Sequence, residues 1–244
     1  MRTLRQLGRS VIRAPLRLVP RGSVVAVLSG PMRGARWVVG AGTNGCWLGT
    51  YEPQTRHWLQ ALLGPGRVFF DIGANVGFFT LLASRIVGEE GAVVAFEPFP
   101  ENLSALQKHV RLNRARNVTV VAAAVSDRAG RERFGPADNP AMGGLAPDGS
   151  IDVVTVALDD LVRDGAVRRP DVLKIDVEGA ELHVLAGARR TLEEARPAIV
   201  LSAHGWKLFE ACRGLLEQIG YDLHVAKDGR EDGDYLLVAR GTER

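Results

Sequence analysis

The chain has 244 residues, 46% of them hydrophobic, and a formal net charge of +3 from 31 Lys and Arg against 28 Asp and Glu. That is enough apolar content for one α/β domain with an N-terminal extension, and no run approaches the ~18 consecutive apolar residues of a membrane-spanning helix. The N-terminus lacks the apolar centre of a secretory signal, and Cys46 and Cys212 make no metal pair, so a cytoplasmic protein with buried, reduced thiols is expected.

Charge is unevenly divided. Residues 1–51 hold eight arginines and no acid, which leaves the remainder net acidic at −5. From Arg5 to Arg21 the arginines recur every four residues, a slowly drifting stripe if the segment is helical, with Pro15 bending it midway. Such a stretch suits peripheral contact with an anionic membrane surface, and equally a solvated arm. Residues 1–50 are read as a basic extension and 51–244 as the main domain.

Val24 to Leu28 and Ala35 to Gly40 read as two short strands joined by a Gly30-Pro31 turn. Pro53 fits the first turn of a helix to about Leu63, which Gly64-Pro65-Gly66 ends. Strand 68–72, helix 78–87, strand 92–96, helix 100–112 and strand 118–122 then alternate as in a parallel sheet with helices on both faces. Residues 128–150, rich in Gly, Pro, Ala and Asp, break the pattern and are read as a substrate-facing loop or lid before a β-like run from Ile151 to Val156. Leu158 to Val162 reads as a short helix, Val172 to Asp176 as the fourth parallel strand, Ala180 to Glu194 as its helix, and Ala198 to Ser202 as the fifth strand. Trp206 to Gln218 is helical, and Tyr221 to Ala226 with Tyr235 to Ala239 ends the sheet as an antiparallel pair around Asp228-Gly229.

Within this frame, Phe69-Phe70-Asp71-Ile72-Gly73-Ala74-Asn75-Val76-Gly77 is followed, twenty residues after its last glycine, by Glu97. The glycines turn the strand sharply into a helix whose bare N–H groups should face the strand ends. Glu97 closes the next strand, and a right-handed crossover sets its carboxylate beside the turn, where it can accept the hydroxyl protons of a ribose. The spacing of Gly73 and Gly77 departs from G-x-G-x-x-G, which disfavours a nicotinamide oxidoreductase. A carboxylate at Asp71 suits a cation. S-adenosylmethionine carries an ammonium and a sulfonium, so Asp71 is expected to hold its methionine end, directly or through water, and Glu97 its ribose.

Leu173-Lys174-Ile175-Asp176-Val177-Glu178-Gly179-Ala180-Glu181 is a second strand that ends at an acid and turns into a helix. In a doubly wound sheet Asp176 and Glu178 border the same pocket, while capping alone explains Glu181. The fifth strand leads into Ser202-Ala203-His204-Gly205-Trp206, and a neutral imidazole is the usual group for taking a hydroxyl proton. Asp176, Glu178 and His204 could together hold a divalent metal, but no H-x-x-x-H or C-x-x-C motif is present and a metal-free site is favoured. His57, His109, His183 and His224 carry no comparable argument.

Over roughly residues 45–240 the chain resembles the FkbM-type family of S-adenosylmethionine-dependent methyltransferases. The resemblance lies in Gly49-Thr50-Tyr51-Glu52, Phe70 to Gly77, Phe96-Glu97-Pro98, Leu158-Asp159-Asp160-Leu161, and Leu173 to Glu181 with Leu185 and Gly187 beyond it. It implies the class I methyltransferase fold, a Rossmann-like, doubly wound, mostly parallel seven-stranded sheet, with typical O-methylation of a sugar, glycolipid, polyketide or other secondary metabolite. One departure is Ser202, where such proteins often carry an acid at the end of the fifth strand. On this basis Asp71, Gly73, Asn75, Gly77 and Glu97 would hold the cofactor, with Tyr51 and Glu52 beside it. His204 or Asp176 would take the proton, and Glu178, Asn139 and Met142 would line the side of a small hydroxyl acceptor. Two other readings stand beside this one: an RNA methyltransferase gripping through the arginine arm, which the net acidic domain disfavours, and a non-catalytic cofactor-binding scaffold.

Overall fold

A computed structural model of the chain describes residues 19–136, 143–145 and 149–241. They divide into two units, one up to Tyr51 and one from Glu52 on. In the first, β1 (Val24–Ala26) and β2 (Arg36–Val38) pair antiparallel with Val25 opposite Trp37, ahead of a short helix α1 (Asn44–Leu48). Both strands are shorter than expected, and the Ala35 to Gly34 segment closes the ribbon through N–H bonds between Val27 and residues 34 and 35.

The second unit begins with α2 (Pro53–Leu62) and is built on seven strands. These are β3 (Val68–Ile72), β4 (Ala92–Phe96), β5 (Val118–Val121), β10 (Val172–Ile175), β11 (Ala198–His204), β12 (Tyr221–Lys227) and β13 (Asp234–Gly241), in the order β12-β13-β11-β10-β3-β4-β5. All neighbours from β11 to β5 pair parallel, and β13 runs antiparallel to both β11 and β12, so one strand in seven is reversed. The crossovers include α3 (Phe78–Val87), α4 (Pro100–Leu112) and α5 (Leu158–Arg163), and α8 (Trp206–Gln218) joins β11 to β12. This is the class I methyltransferase fold.

A sheet covered on both faces reads as continuous apolar runs, and all five residues of β3 and all four of β10 are buried. Pleating divides them. Phe70, Ile72, Leu173, Ile175, Ile199 and Leu201 enter the main core with Phe209 and Leu216 of α8, each large side chain stabilising by roughly 1.5–3 kcal/mol. The other face carries Asp71 and Lys174, directly opposite each other in register on adjacent strands.

Three expectations are corrected. Residues 128–150 are not simply a loop: β6 (Ala124–Val125), β7 (Gly130–Pro136), β8 (Gly143–Leu145) and β9 (Ile151–Val156) form a second sheet in the order β6-β9-β7-β8. Asn139 and Met142 lie outside the described residues. The helix expected over 180–194 is two, α6 (Glu181–Gly187) and α7 (Arg189–Ala195). A Cβ on Gly187 would stand 2.0 Å from the Ser126 carbonyl oxygen, so the chain passes too close to that backbone for any other residue, and Asp159 caps α7 by accepting the N–H groups of Arg190 and Thr191. Finally, β11 runs on to His204 rather than ending at Ser202, because its pairing with β13 continues to Asp234. Both cysteines are buried and outside any disulfide, and among the described residues no helix is long and apolar enough to cross a membrane.

Candidate active site

At the carboxyl end of β3, Gly73, Asn75 and Gly77 take left-handed backbone with φ of 77°, 50° and 92°. A Cβ on Gly73 would lie 1.8 Å from the Asp176 carbonyl oxygen, so only glycine lets this turn pass the end of β10. The five N–H groups from Gly73 to Gly77 are all spent, within the turn or on Phe96 and Glu97. Gly73 and Ala74 donate to the Phe96 carbonyl and Gly77 to that of Ala74. Asn75 donates to Glu97 Oε2 at 2.7 Å, and Val76 to the Asn75 side chain at 2.8 Å. The turn's own N–H groups are therefore taken, and the turn itself is no cradle for a pyrophosphate. Beneath it, buried His109 sets Nδ1 2.7 Å from the Val76 carbonyl. A carbonyl only accepts, so Nδ1 carries the proton, and burial holds this ring below the ordinary histidine pKa.

Glu97 follows β4 and is 4% exposed. Its Oε1 accepts the Phe99 N–H at 2.9 Å. Burial pushes its pKa up to about 7, against the pull of the Phe99 and Asn75 N–H groups, the Asn102 side chain and Lys174. Of about four lone-pair positions three are taken, by the Asn75 and Phe99 N–H groups and the Asn102 side chain.

Asp71 is the residue expected to hold the methionine end of the cofactor, directly or through water. It is fully buried, because it stands one residue before the end of its strand on the face that α3 covers. Thr80 of α3 donates to Oδ2 at 2.6 Å, and Lys174 Nζ lies 3.5 Å from Oδ1. Lys174 also donates to the Gly73 carbonyl at 3.0 Å and stands 3.3 Å from Asp176 Oδ2. Burial opposes its charge, but Asp176, Asp71 and Glu52 outweigh that and hold its pKa above the ordinary lysine value.

His204 ends β11 on the same sheet face. Its Nδ1 is 2.9 Å from Glu181 Oε1, and its Nε2 is 3.4 Å from Glu178 Oε2 and 3.7 Å from Asp176 Oδ1. Glu181 is fully buried and also accepts the Gly179 N–H, so one carboxylate closes the turn and orients the imidazole. Burial pushes the His204 pKa down, but the hydrogen bond to Glu181 and the charges of Asp176, Glu178 and Glu181 raise it to about 9. Glu178 is raised as well, chiefly by burial. Asp176, Glu178 and His204 present ligand atoms within 4.8 Å of one another and could hold a divalent ion. The ion would first have to displace the His204 proton, since an imidazolium already supplies the cation among these carboxylates.

A family model described as the methyltransferase FkbM domain matches residues 71–223, from Asp71 through the whole of this site. The chain belongs to the FkbM methyltransferase family. It is 32% identical over 176 residues to hexuronic acid methyltransferase AglP of Haloferax volcanii, covering 71% of this chain and 70% of that one. It is 33% identical over 168 residues to the 31-O-demethyl-FK506 methyltransferase FkbM of Streptomyces tacrolimicus, covering 54% and 62%. The crystal structure of a methyltransferase FkbM from Methylobacillus flagellatus superposes with a TM-score of 0.56 at 19% identity, over 81% of this chain. The chain spans 55% of that relative's length, and a likeness so distant in sequence speaks for the fold.

In this FkbM domain, Gly73, Asn75, Gly77, Glu97, Asp176, Glu178 and His204 gather at one sheet edge, with Asp71 beneath them. Glu52 precedes α2 in left-handed backbone, with φ of 34°, and its charge acts on Lys174. Tyr51 belongs to the N-terminal unit, where its N–H bonds the Gly45 carbonyl. Sequence reasoning passed over Thr80, His109 and Lys174 and gave Glu181 only its capping role. Lys174 alone left a trace, a charge inside the apolar run Val172-Leu173-Lys174-Ile175 that has to be paired if the strand is covered on both faces.

Proposed function

We propose that the protein transfers a methyl group from S-adenosylmethionine to a hydroxyl of a sugar, glycolipid or polyketide-type small molecule. The observation that carries this reading is the pairing of Glu97 with a glycine turn whose N–H groups are already spent. An edge furnished with carboxylates, beside a turn whose own N–H groups are spent, suits a cationic nucleoside with a ribose diol better than a phosphate. These residues fit the cofactor, with Glu97 on the ribose and Gly73 to Gly77 shaping the floor. Relatives named for a hexuronic acid and for 31-O-demethyl-FK506 support an oxygen-rich small molecule as acceptor.

The cofactor supplies an already activated methyl group, so the protein's part is placement and proton removal. Glu181 accepts His204 Nδ1–H and so turns Nε2 towards the site, where it takes the acceptor's hydroxyl proton. Asp176 and Glu178 stabilise the imidazolium that results. The same carboxylates keep the ring protonated up to about pH 9, so only its neutral fraction is active. The rate should then climb about tenfold per pH unit towards pH 9. A rate flat from pH 6 to 9 would move the proton to Asp176.

The test is transfer from methyl-labelled S-adenosylmethionine to a panel of hexuronate glycans and hydroxylated macrolactones, with S-adenosylhomocysteine as competitor. Labelled product with at least one class supports the proposal. Tight binding of the competitor with no transfer to any of them, RNA included, would favour the scaffold reading.

A further inference from the structure

We propose that Lys174 is a positioning residue that ties the cofactor turn to the proton-transfer cluster, its ammonium holding the Gly73 carbonyl and the Asp176 carboxylate at once. The chain uses only four lysines among its 31 Lys and Arg, and this one is 2% exposed, in a strand covered on both faces. An ammonium taken out of water is costly, and an apolar side chain of similar length would pack β10 as well or better. What the ammonium adds is direction. It donates to the Gly73 carbonyl at 3.0 Å and forms ion pairs with Asp176 Oδ2 at 3.3 Å and Asp71 Oδ1 at 3.5 Å.

Asp71 is the fixed end of this arrangement, held by Thr80 and by its place within β3. It pins the lysine from below, and the other two contacts reach the functional edge. The Gly73 carbonyl opens the turn whose Asn75 N–H bonds Glu97, so a shift at Gly73 passes to the carboxylate assigned to the ribose. Asp176 in turn stands 3.7 Å from His204 Nε2. One ammonium therefore joins the two turns, a role that rests on the cofactor reading above.

Lys174→Met alone would leave Asp71 as an uncompensated buried charge, so the test is the pair Asp71→Asn with Lys174→Met, whose side chains are uncharged and close in volume to the originals. Thermal melting and calorimetric titration with S-adenosylhomocysteine are read together. We expect a melting temperature within a few degrees of wild type and affinity weakened about tenfold or more. Wild-type affinity in the folded pair overturns the inference and leaves the cofactor reading intact, whereas no binding to wild type refutes both. A second measurement needs no variant. In the ¹⁵N-lysine-labelled wild type, one of the four ammonium resonances should exchange slowly and move when S-adenosylhomocysteine saturates the protein; a slow resonance that stays put on saturation also overturns it.

Discussion

Asp71 and Asp176 are the same residue type near the ends of adjacent parallel strands, yet they do different work. Ile72 pairs with Ile175, so Asp71 lies inside the sheet while Asp176 is the first residue beyond it. Asp71 is sealed and bonded to Thr80; Asp176 is partly exposed and faces His204. An offset of two positions in register separates the sealed carboxylate from the exposed one. Lys174, opposite the first and reaching the second, joins them.

The largest effect expected on this contrast is in rate. His204→Gln should lower kcat by roughly 10²- to 10⁴-fold in a methyl-transfer assay, with little change in S-adenosylhomocysteine affinity. Equal loss of both would place His204 in cofactor binding instead. Next, Asp71→Ala removes a fully buried counter-charge of Lys174 and the acceptor of Thr80 and should cost about 3–5 kcal/mol in denaturant unfolding, whereas Asp176→Ala, at a carboxylate that reaches solvent, should cost less while still depressing turnover. If the two variants unfold alike, the contrast fails.

The pH dependence of Glu97 is the third. Its pKa in the folded chain is raised from the usual carboxylate range to about 7, so the protonated form is favoured on folding. Its contribution to stability is complete below the unfolded value of 4.5 and is lost as pH rises through 7, roughly 3 kcal/mol in all. Glu97→Gln should flatten that part of the stability–pH curve. The smallest effect concerns metal: dialysis against a chelator should alter turnover by less than about twofold, since His204 supplies the cation. A large loss restored by one divalent ion would make Asp176, Glu178 and His204 ligands.

The parallel sheet was legible because β3, β4, β10 and β11 are nearly unbroken apolar runs with turn residues between them. The second sheet was not, because Gly130-Arg131-Glu132-Arg133-Phe134-Gly135-Pro136 has one large apolar residue and β6 is two residues long, so neither shows a period. The split after Gly187 depends on the Ser126 carbonyl, more than fifty residues away in sequence and outside any local pattern. In the site, the acids and His204 could be named from their positions at strand ends. Their protonation and exposure could not, because the register of Asp71 on Lys174 and the enclosure of His204 by three carboxylates exist only after folding.

The central claim is that Glu97 and the glycine turn bind a cationic nucleoside through its ribose. Calorimetric titration of S-adenosylhomocysteine into the wild-type chain and into Glu97→Gln, at pH 6, 7 and 8, tests it most directly. The account predicts saturable binding to wild type that tightens as Glu97 ionises through pH 7, and weak, pH-independent binding to the variant. No heat at any pH, or identical affinities in the two proteins, would contradict it.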